Sequence, residues 1–302
     1  MKYRLVLGML ILTICAVDVL WIRTNVAPPR MYDDSVYLAD SVHLFHTAKE
    51  QGVLSFLREC ATATKKHPPM MKILPIPLYL LFGPGTAQAL YAYMLLIPIF
   101  CVYLFLLARE LTESEQAAAV AVGVAASFPM TYGMSRNVMS EFGMTLAVTA
   151  CLYHLLRSDA FLIRRHALLA GLFFGWGMLW KISFPIFVIG PMVFLGLRRR
   201  RLNPGGMAFF GAAALLVGGP FYILDGRTVI HFARFSAADN AFNEQWSLGP
   251  VFSARTVMRY WLNLINDGIS AYWFIVLLVL LALYLFRRTP AFPGAVWWFT
   301  GS

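Results

Sequence analysis

The sequence predicts an all-α integral membrane protein, and three observations carry that prediction. First, 59% of the 302 residues are hydrophobic and only 13% are charged, with a mean hydropathy of +0.66. A soluble domain cannot bury that much apolar surface, so the excess faces lipid. Second, the apolar residues gather in span-like runs at 5–22, 88–108, 116–132, 138–156, 167–180, 183–197, 207–224 and 271–286, which predicts about 8 transmembrane helices. Third, with the N-terminus in the cytoplasm, 12 of the 25 Lys and Arg residues fall in short loops on the inner side. Those loops total roughly 35 residues and the outer segments roughly 125, so the density contrast obeys the positive-inside rule. The net charge of +10 therefore points to anchoring loops and to anionic lipid or phosphate, not to nucleic acid.

The elements follow in order. Lys2 and Arg4 precede the run Leu5–Ile22. That run is long for a signal-peptide core and no small-residue cleavage site follows, so it reads as an uncleaved signal anchor. A first outer loop, 23–87, comes next. In it Leu38, Val42 and Phe45, with Ser41 and Ala48, recur at helical spacing, while Asp40, His43 and Thr47 share another face. That pattern is an amphipathic helix on the membrane surface. A second short helix, VLSFLREC, follows Gly52. The run 70–82 contains Pro75 and Pro77 and is short for a span of ~20 residues, so it reads as interfacial or re-entrant; counting it as a full span would reverse the cation bias. The short runs 167–180 and 183–197 form a tilted hairpin with Lys181 at its tip. Residues 1–224 then make the transmembrane module, 225–270 a second outer loop, and 271–302 a terminal span followed by AVWWFTGS, which looks like the start of a further span. Cys15, Cys60, Cys101 and Cys151 have neither a disulfide framework nor metal-ligand spacing.

Several polar residues stand out on the outer side. Asp33 and Asp34 adjoin the first outer helix. Asp34 is placed to be its N-cap, leaving Asp33 the freer carboxylate; capping and solvation alone would also account for the pair. The stretch KKHPPMMK brings Lys65, Lys66, His67 and Lys72 near the bilayer surface, either as a lipid-headgroup anchor or as a phosphate site. Arg136 and Glu141 flank the start of a span in the second outer turn. An ionisable residue at that depth is a functional candidate, although a local Arg–Glu pair would suffice. Lys181 has no acidic neighbour in sequence and is either functional or snorkelling beside Trp180. Asp18 is isolated late in the first span and reads as interfacial. His231, Asp239, Glu244 and Asp267 suggest no individual role, but the aromatic content of their segment suits a sugar or lipid.

Four ordered blocks carry a family resemblance: YDDSVYLADSVHLFHTAKEQG, HPPMMKILPIPLYLLFG, YLFLLARELTESEQAAAVAVGVAASFPMTYGMSRNVMSEF and LLAGLFFGWGMLWKISFP. Over roughly residues 1–200 the chain resembles the GT-C superfamily of membrane glycosyltransferases, nearest the bacterial relatives of the protein O-mannosyltransferases and the lipid A aminoarabinose transferase. The resemblance implies a GT-C fold and transfer of a sugar from a polyprenyl-phosphate carrier to a lipid, glycan or protein. The site would lie on the outer face of the bacterial inner membrane. It places Asp33 as the catalytic aspartate, Asp34 as the acidic residue after it, His67 and Lys181 as basic positions and Glu141 as an acidic second-loop position; by the topology above Lys66 and Arg136 face outward with His67 and Lys181, where positive charge around the donor phosphate is needed. Here Asp-Asp replaces the commoner Asp-Glu, and His67 stands where Lys or similar is usual. Some members use a divalent metal, Mg²⁺ or Mn²⁺, for which Asp33, Asp34 and Glu141 could supply oxygens; others use none.

The chemistry suits those residue types. An acceptor attacking an anomeric carbon needs a base, whereas a lipid phosphate leaves as a stable anion and needs no general acid. This differs from the two carboxyls typical of glycoside hydrolysis. A polytopic transporter is the competing class, but its polar groups would gather at the bilayer midplane in repeated halves. A truncated, non-catalytic GT-C module is the third reading.

Overall fold

A computed structural model describes residues 2–25, 32–62, 67–199, 202–242 and 253–286, and among these it contains helices and turns but no strand. Lys66 and Lys65, proposed above as phosphate ligands, lie outside the described residues, as do Glu244 and the terminal AVWWFTGS. Helix α1 (Lys2–Thr24) is one unbroken, largely apolar rod. The first outer loop folds into α2 (Tyr32–Glu50), α3 (Val53–Thr62), α4 (Met70–Ile73) and α5 (Ile76–Phe82). The last two are separated by Leu74 and Pro75, so the 70–82 run is indeed too short and too broken to span unaided.

The next span is α6 (Thr86–Met94) continued by α7 (Leu96–Thr112). The break at Leu95 has a cause in the sequence: Pro98 lacks an N–H and its ring crowds the carbonyl four residues back, at Met94. The turn to α8 (Glu115–Ala126) is capped by Ser114, whose hydroxyl accepts from the Ala117 N–H, with Glu115 at the positive end of the helix. Pro129 begins α9 (Pro129–Met134), so the predicted span 116–132 is two pieces. Helices α10 (Ser140–Arg157), α11 (Arg164–Met178) and α12 (Phe184–Arg199) complete the bundle with α13 (Pro204–Phe242). As expected, α11 and α12 form a hairpin with Lys181 in its turn.

Helix α13 does not stop at residue 224. It runs for 39 residues, or ~58 Å at 1.5 Å per residue, against a hydrocarbon core of ~30 Å. Residues 225–242, expected as loop, are its continuation, and α13 packs beside α3. Beyond it lie α14 (Ala254–Asn263), a π-helical turn (Leu264–Gly268) and α15 (Ala271–Phe286). By length and hydropathy alone, α1, α6–α7 and the 204–234 part of α13 are long enough to cross a membrane, while α14 with its π turn meets α15 at a bend of 102°. The other predicted spans are helices of 12 to 18 residues.

The most extensive helix–helix contact is between α11 and α13. Gly171 and Gly175 form a small-xxx-small pair, and a Cβ at either would collide with α13 backbone at Phe210 or Ala214. Small residues that allow this approach take the place of hydrophobic burial, which gives no drive between helices in lipid.

Candidate functional site

The site is assembled on α2, α4, the start of α10 and the turn after α11. Sequence periodicity places α2 correctly, but its buried face is centred on Asp34, Tyr37, Ser41, Leu44 and Phe45, with Leu38 and Val42 only half-buried. The expected capping role of Asp34 is corrected by the same placement. The helix already begins at Tyr32, so Asp34 sits inside the first turn and points inward, 2% exposed, whereas Asp33 is exposed. Helical geometry turns successive residues by ~100°, which is why adjacent carboxylates part company here. One oxygen of Asp34, Oδ1, is buried without a hydrogen-bond partner. Burial pushes the Asp34 carboxyl up to about 6, helped by the negative charges of Asp33 and Glu141. The Tyr37 hydroxyl beneath it is raised for the same reasons: burial first, then Asp33 and Glu141.

Glu141 pairs with Lys181. Its Oε1 lies 2.6 Å from the Lys181 ammonium, and its Oε2 accepts from the Ser140 hydroxyl at 3.2 Å. Forty residues apart in sequence, these two are joined because Trp180 is fully buried against α10, where Gly143 leaves room for the indole that any Cβ would exclude. The Trp180 ring also meets Tyr93 edge-on at 6.0 Å. His67 lies between Tyr37 and Phe232, at 5.6 and 5.5 Å between ring centroids. The extension of α13 therefore covers this side of the site with Phe232.

Helix α4 holds these parts in register. The Met70 N–H donates to the Leu179 carbonyl at 3.1 Å. The Ser41 hydroxyl donates to the Lys72 carbonyl at 2.8 Å, and the Tyr93 hydroxyl to the Met71 carbonyl at 3.1 Å. The Lys72 ammonium, in a side chain 9% exposed, meets Asp40 at 2.5 Å. Backbone carbonyls freed by the Pro-broken helices are thus met by side chains of α2 and α6, as buried backbone groups must be.

Arg136 stands apart from this group. It pairs with Asp18 at 2.6 Å, both side chains under 10% exposed, and its guanidinium lies over the rings of Tyr132 and Trp21. Neither the local Arg136–Glu141 pair nor the isolated interfacial Asp18 is found. A charge deep in an apolar span must find a partner, which was the available signal for Asp18. The pairs Asp40–Lys72 and His43–Glu59 (2.6 Å) left no such signal. Among the described residues, no three His, Cys, Asp or Glu side chains are grouped closely enough to hold a metal ion. Asp33, Asp34 and Glu141 are therefore not gathered as a ligand set.

A family model described as dolichyl-phosphate-mannose-protein mannosyltransferase matches residues 66–223, more than half of the 302-residue chain. No curated protein matches the chain, and no solved structure matches it.

Proposed function

We infer that this chain, which belongs to the dolichyl-phosphate-mannose-protein mannosyltransferase family and is a membrane glycosyltransferase of GT-C type, moves a sugar from a polyprenyl-phosphate donor to a lipid, glycan or protein acceptor at the outer face of the membrane. The observation that supports this reading is the Glu141–Lys181 ion pair at 2.6 Å within the family-matched part of the chain, with the Glu141 charge among those that raise the Asp34 carboxyl. In this reading Asp33 is the base and Lys181 the cation of one site.

In the proposed reaction the acceptor oxygen attacks the anomeric carbon while the bond from that carbon to the phosphate oxygen breaks, with inversion. The acceptor proton passes to Asp33, which is exposed and therefore free to meet an incoming hydroxyl. The electron pair of the broken bond stays on the polyprenyl phosphate. Lys181, oriented by Glu141, faces that developing charge, with His67 beside it; such pre-set charge is the main source of stabilisation in phosphate departure. Asp34 stays buried in the first turn of α2 beside Asp33. No step is routed through a metal. Residues 1–224 act as the catalytic module in this reading, and its long first outer loop supplies the base.

Asp33→Asn should lower sugar transfer by roughly 10²–10⁴-fold, the worth of a positioned base, while the protein inserts and purifies normally. The assay is sugar release from a polyprenyl-phosphate-linked donor in proteoliposomes. Near-normal transfer by Asp33→Asn would remove it from the role of base.

A further inference from the structure

Helix α14 presents its apolar residues outward. Val257, Met258 and Trp261, followed by Leu264 in the π turn, recur at i, i+1, i+4 and i+7 and form one stripe. In a water-facing element such a stripe turns toward the core. Here the side chain α14 buries is Thr256, 3% exposed and on the opposite side, whereas Met258 is 64% and Trp261 57% exposed. Among the described residues, nothing covers the stripe. The only charged residues of α14 are Arg255 and Arg259, one turn apart and on the side of the helix away from that stripe.

The position of the helix says what the stripe meets. Residues 271–286 of α15 carry no charged side chain, and α14 with its π turn leaves α15 at 102°. If α15 crosses the bilayer, α14 runs nearly along its surface. The π turn packs against α9, and Trp273, at the start of α15, meets Phe128 just before α9, with ring centroids 6.5 Å apart. That is the end of the bundle carrying Arg136 and Glu141, so α14 lies at headgroup depth. Tyr260 and Trp261 are the residue types enriched at that level, and paired arginines on a helix that itself carries no acidic residue favour anionic phosphates.

We propose that α14 is an interfacial anchor, lying in the membrane surface with Val257, Met258 and Trp261 in the acyl boundary and Arg255 and Arg259 on the phosphates of anionic phospholipids. The partner is the lipid bilayer itself, and the inference stands whatever sugar or acceptor the enzyme uses. It assigns a function to a segment beyond the family match, which ends at residue 223.

The test uses the full chain in nanodiscs containing phosphatidylcholine and phosphatidylglycerol, each in turn carrying a diazirine near the headgroup. After photolysis and digestion, the peptide spanning 254–264 should be a principal site of lipid adducts. The phosphatidylglycerol probe should exceed the phosphatidylcholine probe by roughly tenfold, as expected for two arginines at an anionic surface. Arg255→Gln with Arg259→Gln should abolish that preference while adducts themselves persist. A second measurement needs no charge change: an environment-sensitive fluorophore on Met258→Cys, in a chain whose native cysteines are replaced, should be quenched by shallow spin-labelled lipid and shielded from iodide. Iodide quenching at that position equal to that at an Arg255→Cys label would overturn the anchor in favour of a solvated helix. Shielding from both quenchers, with no adducts, would overturn it in favour of a protein partner.

Discussion

The two carboxylates at the head of α2 are chemically identical and physically opposite. Asp33 is exposed, and Asp34 is buried with its carboxyl raised to about 6. A carboxyl raised in the folded state binds its proton more tightly there than when unfolded. Its stabilising contribution is therefore fully present at low pH and is lost as pH rises from about 4 through about 6. The protein should accordingly melt at a lower temperature at pH 7 than near pH 5, once other titrations are matched by an Asp34→Asn control. That variant should flatten this segment of the stability–pH curve; an unchanged slope would show that Asp34 titrates normally. The Asp18–Arg136 pair makes a different prediction. Removing either partner, by Asp18→Ala or Arg136→Ala, strands a buried charge and should cost ~3–5 kcal/mol, whereas a double replacement by apolar residues should recover most of it. Thermal unfolding in detergent measures both.

Among the elements, α4 is four residues long and has no stability of its own. It stands where it does because Ser41, Tyr93 and Leu179 engage its backbone and Asp40 its lysine. Asp40→Asn leaves the Lys72 ammonium, nearly buried, without its counter-charge. Transfer activity should fall severalfold even though Asp40 touches no reacting group in the proposed mechanism. Asp40→Glu, which keeps the charge, should recover more of it than Asp40→Asn does, and equal activity in the two variants would rule out the positioning role. The contact between α11 and α13 is of another kind. Gly171→Leu or Gly175→Leu forces two backbones apart and should destabilise the bundle by ~1–3 kcal/mol, the usual cost of overpacking, whereas Gly190→Ala, where the added Cβ meets nothing within 4 Å, should be tolerated.

Across the whole molecule the ion pairs sort by end. Arg4–Glu115 and Arg157–Glu110 join residues that the cation bias assigns to the cytoplasmic side. Asp18–Arg136, Asp40–Lys72 and Glu141–Lys181 join residues assigned to the outer side. A topology with one span misplaced would have paired opposite ends across ~30 Å of hydrocarbon. The sorting supports a single layout, and its orientation is open to experiment. His46→Cys, on the exposed side of α2, should react with a membrane-impermeant thiol reagent added outside intact cells. Labelling only after permeabilisation would turn the layout over.

Composition and run length by themselves determined that this chain is helical and lies in a membrane, and cation spacing predicted which segments share a side. Those are properties of individual segments against lipid and water, so each is written locally. Pattern also marked Asp33, Asp34, Glu141 and Lys181 as residues to watch. What it could not reach were relations between segments. Asp34 looked like a cap because helix starts are read from residue type, but the inward turn of its side chain depends on α2 resting against α4 and α5. Lys181 looked unpaired because its partner lies forty residues upstream, and α13 looked finished at 224 because the polarity of its continuation resembles that of a loop. Only tertiary structure decided these, since a buried charge or a polar helix persists through its neighbours and not through its own sequence.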